Sequence, residues 1–268
     1  MHLFRQHTPI ESYVVSGRHV RVKRDDLFGL KPAPPLAKLR GMRVVLRRLY
    51  DEGVRLTGCW DTRVSKLGLG LAACSTELSG MRCVVSYPTK KGEPEPESVR
   101  EARTLGAEVY ATPGNRISIS FAAARKYVNE RGGVMLPFGL ECQEAVEGVA
   151  AEAATVHREF VEEGTVVLSC GSGVTLAGLL SGLPVLPHKV VGLSSGRSVK
   201  NIMSCVKRYV KEIPDCLEVH EALLPYSTVP VFSCPFPSHP NYDLKAWKFL
   251  EDNLMDFRDP LLFWNIGS

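Results

Sequence analysis

Thr165-Val166-Val167-Leu168-Ser169-Cys170-Gly171-Ser172-Gly173-Val174-Thr175-Leu176-Ala177-Gly178-Leu179-Leu180 is the stretch from which the rest of the chain can be read. A buried apolar strand, a glycine-rich turn and the opening of a helix follow one another there without spare residues. That order aims several backbone N–H groups, the positive end of a helix and the Ser172 and Thr175 hydroxyls at one spot, and a phosphate fits it. The competing reading is a tight strand-to-helix turn whose glycines only relieve sterics. The spacing matches no Gly-x-x-x-x-Gly-Lys loop, and it lacks the third glycine and the acid expected about 20 positions on in a dinucleotide site. A phosphate suits the turn; a dinucleotide does not.

Outward from this turn the same grammar recurs. Strands are expected over 54–59, 83–87, 108–111, 134–137, 165–169, 189–193 and 261–264, and helices over 42–52, 65–78, 97–105, 117–130, 144–162, 198–210 and 244–253. Alternation at this spacing means parallel strands with crossover helices on both faces, an α/β fold. Two further strands, 12–16 and 19–23, flank a Ser-Gly turn, and residues 211–239 read as irregular and proline-rich. Spacing alone makes Asp243 the N-cap of the last helix.

A second chemical candidate lies upstream, where Val22-Lys23-Arg24-Asp25-Asp26-Leu27 precedes Pro34-Pro35-Leu36-Ala37-Lys38-Leu39-Arg40-Gly41-Met42. Lys38 sits where a helix begins, with Arg40 and Arg43 in the next turn and a half. Positive surroundings of this kind favour a neutral, reactive amine, as a Schiff-base lysine requires. The plain alternative is an ordinary surface lysine.

With 268 residues, 44% apolar and 23% charged, the chain can bury a core in one large domain or two small ones. No apolar run reaches bilayer length, and Met1 to His7 lacks the pattern of a signal peptide, so a cytoplasmic protein without a membrane partner is expected. The eight cysteines are scattered, with neither Cys-x-x-Cys pairs nor histidines at ligand spacing; reduced, packing thiols and no metal site are the expectation. A net charge of +4 permits an anionic partner without demanding one.

Taken together, the motifs resemble pyridoxal-phosphate enzymes of fold type II, the tryptophan-synthase-β type. Lys38-Leu39-Arg40-Gly41 is similar to the lysine motif of threonine dehydratases and serine racemases. Lys23-Arg24-Asp25-Asp26, the turn 171–178, Tyr242-Asp243-Leu244-Lys245-Ala246 and the closing Leu262-Phe263-Trp264-Asn265-Ile266-Gly267 resemble the aminocyclopropane-carboxylate deaminase and D-cysteine desulfhydrase branch, in the same order. The resemblance implies two open parallel-type sheets, with pyridoxal 5'-phosphate between a large domain, 1–50 plus 145–268, and a small one, 51–144. It further implies that Lys38 binds the cofactor covalently and then carries a proton, and that Gly171, Ser172, Gly173, Val174 and Thr175 cradle its phosphate. Asp243 would face its ring nitrogen, and Tyr242 would be a nearby acid or base, the alternative being a packed aromatic. A homodimer is the implied assembly.

One departure bears on the reaction. Where the family carries an asparagine-containing segment that supports the cofactor and holds the substrate carboxylate, this chain reads Gly58-Cys59-Trp60-Asp61-Thr62-Arg63-Val64-Ser65-Lys66-Leu67-Gly68. Either Asp61, Thr62, Arg63 and Ser65 line the substrate site, or Asp61 and Thr62 cap the following helix. Together with the short chain and the Phe263-Trp264-Asn265 ending, the segment resembles phage-encoded relatives associated with thymine hypermodification. That resemblance implies decarboxylation of a glycine-like adduct on thymine in DNA, leaving an aminoethyl arm, with Arg40, Arg43, Arg47, Arg48, Lys207 and Arg208 as candidates to hold the backbone. The alternatives are a free amino-acid deaminase, desulfhydrase or dehydratase, and a binding protein without cofactor.

Overall fold

Ser16 and Gly17 both adopt positive φ, 48° and 82°, the backbone that a two-residue hairpin turn requires. They join β1 (Ile10–Val15) to β2 (Arg18–Arg24), the one antiparallel pair of a six-stranded sheet. This computed structural model describes residues 7–29, 35–114 and 116–267; Pro34 of the proline-rich turn and residues 1–6 of the N-terminal segment lie outside the described residues. From β2 the sheet continues in parallel through β10 (Leu261–Asn265), β7 (Thr165–Cys170), β8 (Lys189–Ser194) and β9 (Leu217–Glu221), so the last strand in sequence is central. Its inner strands are apolar on both faces because both are covered. On one side Val167, Val191, Leu193 and Phe263 pack with Trp247 and Leu250 of α8 (Asp243–Asp252).

Elsewhere in this unit α5 (Gln143–Ala153) and α6 (Val174–Gly182) approach through glycines. A Cβ at Gly178 would lie 2.5 Å from Val149 Cβ, and one at Gly182 2.1 Å from the Ala150 carbonyl. The Lys23-Arg24-Asp25-Asp26 motif ties the same layers together. Lys23 Nζ, buried, lies 2.5 Å from Glu152 on α5 and donates to the Thr8 carbonyl at 2.6 Å. Arg24 forks onto Asp26 at 2.9 and 2.8 Å and reaches Glu11 at 2.6 Å, while Asp25 accepts from the Trp264 indole at 3.1 Å. Charges this deep persist only when paired.

The second sheet has the order β5 (Glu108–Thr112), β4 (Arg82–Pro88), β3 (Leu56–Trp60), β6 (Val134–Met135), all parallel. The accompanying helices are α1 (Leu39–Asp51), α2 (Leu67–Thr76), α3 (Glu97–Thr104) and α4 (Ile117–Asn129). Contacts divide the chain into two units: the first takes its described residues from Met1–Phe28, Pro35–Ala37 and Val146–Ser268, the second from Gly29–Pro34 and Lys38–Ala145. Helix α1 lies in the second unit, where a Cβ at Gly41 would stand 2.3 Å from Ala145 Cα.

Two elements differ from expectation. The helix expected over 144–162 ends at Ala153, where the Thr155 hydroxyl bonds the Glu152 carbonyl, and only a short 3-10 turn, Arg158–Phe160, follows. Within 211–239, read as irregular, lies β9, an edge strand whose half-exposed residues give a weak apolar signal. Helix α7 (Val199–Tyr209) begins as expected, with the Ser198 side chain accepting from the Asn201 N–H. Among the described residues no helix is long and apolar enough to cross a membrane, and no cluster of His, Cys, Asp and Glu could hold a metal ion.

Candidate active site

In the first unit, β7 runs into α6 through Gly171-Ser172-Gly173. Gly173 has φ +97°, and a Cβ there would stand 2.9 Å from the Ile202 carbonyl and 3.1 Å from Cys205 Cβ, so both conformation and space demand glycine. The first N–H groups of α6 have no partner within the helix. That of Val174 meets the Ser172 hydroxyl only at 3.5 Å. Ser172 and Thr175 are buried beside them, as an anion cradle needs. Gly171 serves a different purpose: a Cβ there would lie 3.3 Å from Tyr242 Cε1, so glycine lets the tyrosine ring come close. The Tyr242 hydroxyl pairs with that of Tyr226 at 2.5 Å.

Asp243 does not act as the expected N-cap. Tyr242 holds that position with no side-chain bond to the helix, and the Asp243 carboxylate accepts instead from the N–H groups of Ile266 and Gly267, both at 3.2 Å. Burial pushes its pKa up to about 8; the two N–H groups act against that rise and the nearby Asp26 adds to it. A carboxyl so poised near neutrality can share a proton with a ring nitrogen. Cradle and carboxyl therefore fit a group that carries both a phosphate and a pyridine.

In the second unit, Lys38 directly precedes α1 and donates from Nζ to the Gly139 carbonyl at 3.2 Å. Asp61, which follows β3, is fully buried. Its Oδ2 accepts from the Gly68 N–H at 2.7 Å and its Oδ1 from the Thr62 N–H at 3.0 Å. Burial raises its pKa, opposed by these N–H groups, the Ser65 hydroxyl and the charge of Lys38. Asp61 and Lys38 are thus electrostatic neighbours. The Thr62 hydroxyl accepts from the Ser65 N–H, and the Ser65 hydroxyl from the Leu67 N–H, so both brace the turn. Arg63 is engaged elsewhere: its guanidinium bonds Glu93 at 3.0 Å and the carbonyls of Pro88 and Pro94 at 3.2 and 2.5 Å.

Some residues at these sites carried no sequence signal. Tyr226 lies in the aperiodic stretch before α8, where only its neighbourhood in space reveals a role. Gly139, at φ +66°, presents its carbonyl to Lys38; the Phe-Gly pair at 138–139 between a strand and a helix is the single hint.

The sequence profile described as "Pyridoxal-phosphate dependent enzyme" matches residues 37–215. A protein of Pseudomonas phage M6, named glycyl-dTMP PLP-dependent decarboxylase, is 32% identical over 97% of this chain and 98% of its own. Among solved structures, an ACC deaminase homologue superposes with a TM-score of 0.80 at 18% identity, covering 100% of this chain and 91% of its own. The processed form of threonine deaminase isoform 2 from Solanum lycopersicum gives 0.70 at 13% identity, covering 97% and 83%. At such identities the structures speak for the fold, which is that of fold type II. Sequence and fold thus converge, and the chain belongs to the pyridoxal-phosphate dependent enzymes, with pyridoxal phosphate as its cofactor.

Proposed function

We propose that this enzyme decarboxylates a glycyl group carried on a thymine nucleotide, leaving an aminoethyl arm. The observation that carries the reading is the likeness to the phage decarboxylase along nearly the whole of both chains. When bound, pyridoxal phosphate supplies an aldehyde for an amine and a ring that withdraws electrons from the α-carbon. The Gly171–Thr175 turn would take its phosphate, Asp243 the proton at its ring nitrogen, and Lys38 its aldehyde. Lys38 then returns a proton to the α-carbon once carbon dioxide has left. Tyr242, positioned by the Tyr226 hydroxyl, is the second group able to move a proton.

The nucleotide is proposed to be part of DNA, and the basic residues divide on this point. On α1, Arg43 pairs with Glu77 at 2.7 Å and Arg48 with Glu144 at 2.7 Å, Arg47 stands 4.0 Å from Asp51, and Arg40 is buried. Residues 190–211 contain no acid, and Lys200, Lys207, Arg208 and Lys211 are exposed there on and beside α7. That face suits a phosphodiester backbone.

Enzyme reconstituted with pyridoxal phosphate is expected to release carbon dioxide from glycyl-dTMP, and with salt-sensitive affinity from the same base in an oligonucleotide. Lys38→Ala should abolish the cofactor's absorbance shift and cut the rate by about three orders of magnitude or more. Release of ammonia or sulfide from small amino acids, with no carbon dioxide from either nucleotide substrate, overturns the reading.

A further inference from the structure

We propose that Asp61 determines which bond is broken: it fills the start of α2 with a carboxylate of the chain's own, so the substrate's carboxylate is left unclamped and departs. The inference rests on the decarboxylase reading above and adds a residue to it.

A helix that begins just after a parallel strand is a ready anion site, because its first N–H groups lack partners inside the helix. In the second unit that place is taken. Asp61 Oδ2 lies 2.7 Å from the N–H of Gly68, the second residue of α2, and Oδ1 holds the Thr62 N–H at 3.0 Å. Gly68 lets the start of α2 lie close on β4: a Cβ there would be 2.4 Å from Val85 Cγ1, while Asp61 Oδ2, at 3.5 Å, would be in ordinary contact. The carboxylate is 4% exposed, so it is a fixed part of the wall rather than a mobile surface acid. It also lies within electrostatic reach of Lys38, the amine at which the chemistry takes place.

A second carboxylate entering this neighbourhood finds the Leu67 and Gly68 N–H groups of α2 already bonded, to Ser65 Oγ and Asp61, and a like charge beside them. Binding energy from the rest of the substrate then holds the carboxylate where it is least stabilised, and the effect is relieved only as carbon dioxide forms. In that step the bond between the α-carbon and the carboxylate carbon breaks, and carbon dioxide leaves without the bonding pair. One solvent-derived proton, delivered by the Lys38 amine, takes its place on the α-carbon. An enzyme of this kind that clamped the carboxylate would instead exchange the α-hydrogen.

The test is to run the holoenzyme on glycyl-dTMP in deuterium oxide, measuring carbon dioxide release and deuterium at the α-carbon of recovered substrate. Wild type should release carbon dioxide and return unlabelled substrate. Asp61→Asn, nearly isosteric but uncharged, should slow release by about tenfold and return substrate labelled at the α-carbon. Cofactor absorbance and melting temperature report whether the variant is intact. If it does not fold, Ser65→Ala removes one tether of the carboxylate and should shift the partition in the same direction by less. A partition unmoved in intact variants, or both rates falling alike, overturns the role of Asp61 while leaving the decarboxylase reading in place. No carbon dioxide from wild type overturns both.

Discussion

At the end of β7 the chain enters α6 through Gly171-Ser172-Gly173, and at the end of β3 it approaches α2 through Asp61-Thr62-Arg63. Both are strand-to-helix junctions of parallel sheets, and both point N–H groups at a small volume. The first carries hydroxyls and glycines with no acid, so the turn brings no carboxylate of its own. The second brings its own carboxylate and bonds it from two N–H groups and a hydroxyl. One geometry can thus be a receptor or a closed wall, and a single side chain decides which.

The most forceful way to break this contrast is to close the open junction. Ser172→Asp places a carboxylate at the start of α6, where it would take the donors proposed for the cofactor phosphate and repel that phosphate as well. Affinity for pyridoxal phosphate is expected to fall about a hundredfold, or about 2.7 kcal/mol, read by titrating the cofactor's absorbance. An unchanged affinity would mean that the phosphate is held elsewhere.

A smaller effect sharpens the comparison at the glycines. Gly173→Ala meets both a left-handed backbone and a carbonyl oxygen 2.9 Å from the new Cβ, neither of which can yield cheaply. Gly68 shows no such backbone; its Cβ would press on Val85 Cγ1 at 2.4 Å, so its cost is steric alone. Gly173→Ala should cost about 2 kcal/mol in stability and Gly68→Ala less, measured by denaturant unfolding of each unit's signal. The reverse order would locate the rigid junction in the second unit.

How much of this could be read beforehand follows from how local each feature is. The β7–turn–α6 unit was legible because strand, glycines and helix are consecutive, and residue type there dictates backbone. Asp61 was legible only as an ambiguity, since a carboxylate seven residues before Gly68 says nothing of which way it turns; in the fold its Oδ2 accepts from the Gly68 N–H at 2.7 Å. Asp243 misled as an N-cap because its partners, Ile266 and Gly267, come from beyond β10, more than twenty residues along the chain. Strand β9 escaped because an edge strand buries too little to show alternation. Local chemistry was readable, whereas partners brought by the fold were not.

The gentlest test concerns the two buried acids. Both are raised by burial, but Asp61 has two N–H groups, a hydroxyl and Lys38 to oppose the rise, whereas Asp243 has N–H groups alone and the added charge of Asp26. Asp243 passes from an ordinary 3.8 in the unfolded chain to about 8 when folded. Between those values the folded state keeps a proton that the unfolded state has released, so stability is greatest below the lower value and falls as pH rises toward the upper one. For enzyme stripped of cofactor, the slope from this single group is at most about 1.4 kcal/mol per pH unit. Thermal unfolding from pH 5 to pH 8 should therefore show a declining melting temperature that flattens in Asp243→Asn, and Asp61→Asn should alter the slope less. Equal flattening in both variants would mean that the donors around Asp61 do not offset its burial, and the distinction between a satisfied carboxylate and one waiting for a ring nitrogen would be lost.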